Sequence, residues 1–518
     1  MRKTSSNATH DDAPVSLTRR SLVNAGIASA GMLALSARNV RAQVAPGPAA
    51  VAAPRVALEV PLSRQFGRWV AALDYADLPP EVVDRAKGVT LQAVASALLG
   101  SQTENGELAL ALILEEEAGV RRGATVLVDG ATVTAGGAAF VNAEMALAGG
   151  KWDTFRMLTH PGTSILPAAL AAAESANATG REFIVGVVAG YEVMERMAAE
   201  FIPTVMARGF HAGPVFGIFG AAVAAAKILG LSEEQITAAI GLCVNLAGGN
   251  LESRGLREGA AVRNAMLAVA LARQGAQGRE TALEGPAGFY HAFAGNNGGR
   301  LTHSFTGTLE VELESIVAGL GSEWMFLETL YRIYSIPGYN LAHIELSARL
   351  CEQHDIRPED VDRVEAVVNW METQYPSPAF ATQREDLPGP ARRGSTRFYA
   401  AYGIVRRGFP LLAGEPDPPE VLELMNRVTI IPSNLMPLFG PRITIFLKNG
   451  RSHTVQGTGR EFIWDFEEEV RRIRGVAPGL PIPETQFGAL IEATRNLDAL
   501  PRADRLVELT LRPETPPA

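Results

Sequence analysis

Two histidines sit where the chain turns into a helix, and both places suit acid–base work. His160 lies in Thr159-His160-Pro161-Gly162, a turn at a helix start from which its ring can project into a cleft. His211 follows Arg208-Gly209-Phe210 and precedes an Ala- and Gly-rich helix, whose N-terminus favours anions. Two imidazoles beside one anionic substrate can exchange a proton near neutral pH. Arg254 and Arg257 stand in the loop before a further helix. A guanidinium grips a carboxylate bidentately and cannot itself give or take a proton near neutrality. These residue types predict carboxylate anchoring with proton transfer beside it. The histidines lack a tight ligand spacing. The only cysteines, Cys243 and Cys351, form no CxxC or iron–sulfur pattern, so no metal is expected.

The elements that must position these residues are mostly helices. From about Leu62 to Gly319 the pattern is overwhelmingly helical. Leu78-Pro79-Pro80-Glu81 starts one helix, Ile165–Ala176 forms another, and Arg181–Met197 shows apolar residues at helical spacing. Gly217–Leu229 is so rich in Ala and Gly that close helix packing is expected, and Ser232-Glu233-Glu234-Gln235 reads as a capping box. Ala260–Arg273 is a further helix, stopped by Gly275. After about residue 330 the texture changes. Arg363–Val368, Arg427–Ile431 and Arg442–Leu447 read as strands, and Asn449-Gly450 turns the last of them into a returning strand, His453–Val455. Helix returns from Glu461 through Ile473 and again over Glu484–Arg495. The reading is mainly α: a helical domain over 62–330 and 461–518, with a smaller α+β lid, 331–460, inserted into it.

The first residues read as a targeting segment. Arg19-Arg20 precede an apolar run from Leu22 to Ala37, and Val40-Arg41-Ala42 offers a small-residue cleavage site. Residues 1–42 are therefore expected to be a twin-arginine signal peptide and 43–61, rich in Ala and Pro, a flexible leader. The run is short for a span of ~20 residues, so a periplasmic protein with no membrane partner is expected once the signal is removed. The net charge of -9 argues against a nucleic-acid partner. Only five lysines occur, Lys3, Lys87, Lys151, Lys227 and Lys448, so the positive charge is carried by arginine.

Three segments carry a resemblance. They are Thr159-His160-Pro161-Gly162-Thr163-Ser164 running on to Glu174; Gly190-Tyr191-Glu192-Val193 with Arg208-Gly209-Phe210-His211 and the helix to Leu231; and Gly259-Ala260-Ala261 running into Leu271-Ala272-Arg273-Gln274-Gly275 and Leu283-Glu284-Gly285-Pro286. In this order and spacing the chain resembles the MmgE/PrpD family of 2-methylcitrate dehydratases, cis-aconitate decarboxylases and related epimerases, over about residues 62–515. The resemblance implies a helical body with an inserted α+β lid, a homodimer, and a site between body and lid that uses neither metal nor cofactor. It implies active-site roles for His160 and His211, for Asp153 and Thr154 just upstream, and for Tyr399 in the lid. Arg254 stands where the family has a lysine and Arg257 where it often has a histidine. Leu147, Gly150 and Trp152 replace a histidine and two acidic positions, and Lys151 brings a new cation into that segment. In the lid, Tyr334 and Tyr339 replace a Lys/His pair, and His343 is retained. The substrate-binding set is thus Arg254, Arg257, Lys151, Tyr339 and His343. The function implied is a lyase of dehydratase type on a small di- or tricarboxylate. Epimerisation or decarboxylation of a related acid, and a periplasmic binding protein without catalysis, are the alternatives.

Overall fold

The computed structural model describes residues 58–513, apart from residues 118, 121, 122, 254, 335, 377–384, 388 and 410–416. The expected signal segment and residues 43–57 of the expected leader lie outside the described residues, as does Arg254.

The chain is mainly α, with 17 helices among the described residues. Its centre is three helices that present almost nothing to solvent: Pro161–Ala176, Gly180–Ala198 and Ala212–Ile228. Residues that are apolar on every side leave a helix no face for water, so it can only be a core element. Glycine sets how closely two of them approach. A Cβ on Gly190 would come within 2.6 Å of the Gly220 carbonyl oxygen, and one on Gly220 within 2.9 Å of the Gly190 carbonyl. The Gly180–Ala198 and Ala212–Ile228 backbones therefore touch directly, which any larger residue at either position forbids. Around them pack Pro80–Gly100, Ala135–Ala148, Glu233–Leu246 and Arg257–Arg273. No helix among the described residues is long and apolar enough to cross a membrane.

A second, smaller core belongs to a four-stranded mixed sheet in the order Val428–Ser433, Val361–Asn369, Arg442–Leu447, Ser452–Gln456. The first pair is parallel and the other two are antiparallel. Val364, Ile443 and Ile445 alternate inward and meet Leu346 and Ile404 of the helices Gly338–His354 and Thr396–Arg406. The predicted Asn449-Gly450 turn closes the last pair, with Gly450 at a φ of +84°, a value that glycine adopts without cost.

Three expectations need correction. Residues 274–319 are not a run of helices: their only helical pieces are Phe289–Ala294 and short 3-10 turns, in a stretch broken by Gly275, Gly278, Gly285, Gly288 and Gly295. The helix expected from Glu461 starts at Phe466, because Asp465 caps it by accepting from the Glu468 N–H. Glu461 instead accepts from the N–H groups of Thr458 and Gly459. Finally, Trp152–Thr154 and Leu330–Arg332 form an antiparallel pair inside what reads as helical sequence. Three residues are too few to display a strand's alternation.

Candidate functional site

That small strand pair assembles the site. Asp153 sits at its middle, and the chain must then reverse within a few residues to reach the helix Pro161–Ala176. The reversal uses left-handed backbone at two non-glycine residues, Arg156 (φ 53°) and Leu158 (φ 56°). Each such residue costs about 1–3 kcal/mol unless its surroundings hold it, and a strained loop beside a cleft is where function concentrates. Here Thr159 Oγ1 donates to the Phe155 carbonyl and bridges the turn. The carboxylate of Asp153 accepts from the Gly162 N–H at 3.0 Å and from the Tyr191 hydroxyl at 2.5 Å. It therefore caps a helix from outside, a task His160 at the cap position does not perform. Burial raises the Asp153 carboxyl to about 6, against the pull of Tyr191 and Gly162. Expected among the catalytic residues, Asp153 has both carboxylate oxygens engaged by the scaffold, which makes it a positioning residue.

The same reversal aims His160. Its Nδ1 is 2.9 Å from the Asp153 carbonyl oxygen and 3.4 Å from Thr154 Oγ1. Its ring lies 4.4 Å from the Trp152 indole, whose Nε1–H is fixed on the Leu147 carbonyl. Thr154 is itself buried beside the imidazole. Burial holds the His160 imidazolium well below its ordinary range, and the charge of Arg332 adds to that, as do His211 and Arg257. His211 and Arg257 therefore lie within electrostatic range of His160.

His211 is the cap residue of Ala212–Ile228; its Nδ1 accepts from the Gly213 N–H at 3.2 Å. Its Nε2 lies 3.1 Å from Arg257 Nη2. Arg257 begins the helix Arg257–Arg273 and is itself held by the neighbouring Glu258 carboxylate at 3.2 Å. Glu258 is buried, with Oε1 3.9 Å from His211 Nδ1. Burial first, then the Arg257 charge, lowers His211 to about 3, so its ring is neutral at any ordinary pH. Behind this group Glu144 accepts from the Gly259 N–H at 2.6 Å, capping the helix that carries Arg257 from outside, as Asp153 does for the helix after His160.

The strand partner of Trp152 supplies a residue that sequence reading missed. Arg332 lies over the Trp152 ring at 4.6 Å and donates from Nε to the Ile336 carbonyl at 2.7 Å. No carboxylate pairs with it among the described residues. Burial lowers its guanidinium to about 10, while Tyr375, Tyr339 and Tyr399 act in the opposite direction. Lys151 is half-buried nearby, and burial and then the Arg332 charge lower its ammonium. A buried guanidinium with no carboxylate beside it among the described residues makes a place for an anion. The signal in the sequence was an arginine flanked by Tyr331 and Tyr334 where the helical body ends. Tyr375 was also missed; its ring is 6.0 Å from that of Tyr339.

Of the predicted set, His211 and Arg257 are in contact and both act on His160, while Lys151, Tyr339 and Tyr399 are linked electrostatically to Arg332. Tyr334 is withdrawn, stacked on Phe409 at 4.1 Å. His343, expected to touch substrate, is wholly buried, with Nδ1 on the Tyr339 carbonyl one turn earlier and Nε2 without a partner. It lies in the buried first turns of Gly338–His354. Among the described residues no group of three or more His, Cys, Asp or Glu side chains could hold a metal ion.

Comparisons with known proteins say what the chain is similar to. The family model described as the MmgE/PrpD N-terminal domain matches residues 64–301, which include His160, His211 and Arg257. The chain is 27% identical to a cis-aconitate decarboxylase-like protein of Aspergillus oryzae, over 76% of this chain and 84% of that protein. It is 27% identical to a cis-aconitate decarboxylase of Aspergillus terreus, over 54% of this chain and 57% of that one. With the human cis-aconitate decarboxylase the identity is 24%, over 88% of this chain and 95% of the relative.

Proposed function

Because the chain belongs to the MmgE/PrpD family, we propose that it is a lyase that removes a group β to a carboxylate of a small di- or tricarboxylate. The observation that carries this is the pair of guanidinium groups acting on His160, Arg332 and Arg257, of which Arg332 faces no carboxylate among the described residues. A carboxylate held by these groups lowers the cost of negative charge developing at its α-carbon. His160, neutral and desolvated, takes the α-proton. The C–H pair then flows toward the held carboxylate and onward to expel the β-substituent. Carboxyl loss would reach a like carbanion by breaking a C–C bond and releasing CO2, that carbon then taking up a proton, and similarity to proteins named as cis-aconitate decarboxylases supports either outcome. Export to the periplasm and assembly as a homodimer complete the reading.

The test is a screen of hydroxylated and unsaturated di- and tricarboxylates, with two readouts. A true substrate raises the unfolding midpoint and exchanges its α-proton with deuterium from solvent. Stabilisation without exchange by every acid that binds would make the protein a binder, and no stabilisation by any of them would defeat the proposal.

A further inference from the structure

We infer that the backbone fixes the two imidazoles in opposite tautomers, so that His160 is the base and His211 is a neutral hydrogen-bond donor that shares one substrate oxygen with Arg257. This rests on the proposed lyase reading and assigns its roles. A backbone carbonyl can only accept, so the His160 nitrogen 2.9 Å from the Asp153 oxygen must carry the ring proton. Its other nitrogen, Nε2, is then the lone pair, free to take a proton. A backbone N–H can only donate, so His211 Nδ1, which receives the Gly213 N–H, must be unprotonated. The single proton of the neutral ring is therefore on Nε2. The ring nitrogen not held by the scaffold is a base in one histidine and a donor in the other.

Two contacts compete with this assignment; distance decides the first and the mobility of the donor the second. Glu258 Oε1 would favour a proton on Nδ1 but lies 3.9 Å from it, beyond hydrogen-bond reach, and that carboxylate is already held by Arg257 at 3.2 Å. Arg257 Nη2 is 3.1 Å from Nε2, and a guanidinium cannot accept. With Nε2 protonated, two donors face each other across that gap with nothing between them. The Gly213 N–H is locked at the start of a buried helix, whereas the arginine side chain can swing, so it is the arginine contact that opens. An oxygen bearing negative charge placed between Nε2–H and Nη2–H satisfies both donors at once. The pair is thus a two-donor oxyanion clamp, with Glu258 the positioning residue that keeps Arg257 in it. A neutral imidazole at a helix N-terminus is suited to polarising a carbonyl in this way.

The step balances without a second base. The α-C–H bond breaks, an N–H bond forms at His160 Nε2, and the electron pair passes into the carboxylate oxygen held by His211 and Arg257. The proton on His160 is then available to a departing hydroxyl, which leaves as water. A two-base epimerisation would need a lone pair at His211 Nε2, and this tautomer withholds it.

The experiment reads the tautomers directly. Full-length protein labelled with ¹⁵N-histidine gives two-bond proton–nitrogen spectra that distinguish Nδ1–H from Nε2–H rings. His160→Gln and His211→Gln, checked for folding by circular dichroism, identify the two rings by the signals they lose. The expected result is Nδ1–H for His160 and Nε2–H for His211 at neutral pH. The same tautomer in both overturns the inference, whether or not any acid proves to be a substrate; failure of the substrate screen would instead strike the lyase reading alone. On a substrate, His211→Gln keeps an amide N–H near the Nε2 position and should lose roughly ten-fold in kcat. His160→Gln, with no base, should lose on the order of a thousand-fold or more. Equal losses would also overturn the assignment.

Discussion

Replacing Arg332 by glutamine probes the site at its least expected member. The guanidinium spends its Nε on the Ile336 carbonyl and its face on Trp152, and no carboxylate among the described residues answers its remaining N–H groups. A bound carboxylate would therefore make new charge-assisted hydrogen bonds, each worth about 1.5–3 kcal/mol. Losing two of them, with part recovered by the glutamine amide, should weaken polycarboxylate binding by about 3 kcal/mol, on the order of a hundred-fold. The free protein should suffer little. A lost cation–π contact of about 0.5–2 kcal/mol is offset by no longer burying a charge without a partner. A second readout follows from electrostatics, because Arg332 is the largest charged contributor that lowers His160. Its removal should raise the pH of the acidic limb of kcat/KM toward the ordinary histidine range. Titration calorimetry with the best acid from the screen, and pH–rate profiles of wild type and variant, measure both. Binding unchanged within three-fold, or a limb that does not move, would show that Arg332 is a lid strut and not an anion anchor.

Four other outcomes are expected. Arg19→Lys with Arg20→Lys should abolish periplasmic recovery of a processed protein on cell fractionation, and unchanged recovery would contradict the export reading. Activity should persist after exhaustive chelation; a loss restored by one divalent ion would refute metal independence. Sedimentation should find a dimer, and Leu267→Glu with Leu271→Glu, on the exposed face of Arg257–Arg273 (48% and 40% exposed), should give monomers. His343, lowered to about 4 by burial, should make stability fall as pH drops. Below about 6.5 the unfolded chain binds a proton that the folded chain refuses, at about 1.4 kcal/mol per pH unit down to the folded value. The urea-unfolding difference between wild type and His343→Leu should therefore shift by that slope from pH 6.5 to 4, and a constant difference would refute it.

The helices were legible because their signals are local. A capping box at Ser232–Gln235 and an apolar pattern three to four residues apart need no knowledge of the rest of the chain. The two histidines were legible for the same reason: each marks a helix start, and a helix start is written in adjacent residues. Arg332 was not, because what makes it a candidate is the absence of an acid around it, a property of packing and not of spacing. Trp152 and Arg332 are far apart in sequence, and only their pairing brings the guanidinium over the indole beside His160. The burial of His343, with Nδ1 on the carbonyl one turn earlier, was equally hidden, because it too is set by packing and not by residue type.

The arginine bias of the chain has a chemical consequence once the site is assembled. Where a lysine can be pushed toward neutrality by burial and then move a proton, an arginine stays charged even when buried, and Arg332 remains at about 10. Arg332 and Arg257 can thus hold charge and cannot share in proton transfer. Lys151 is the one titratable cation in the group, and its ammonium is lowered by burial and by Arg332. The phenols of Tyr339 and Tyr375 are both raised, which removes them as bases near neutrality. Asp153 titrates near 6, but its oxygens are committed to Tyr191 and Gly162. What remains beside the cations is a neutral imidazole at His160 with a free nitrogen. A scaffold that fixes its positive charge in this way concentrates the proton transfer on a single residue. The identity of the acid should then follow from how many carboxylates the fixed cations can hold around it.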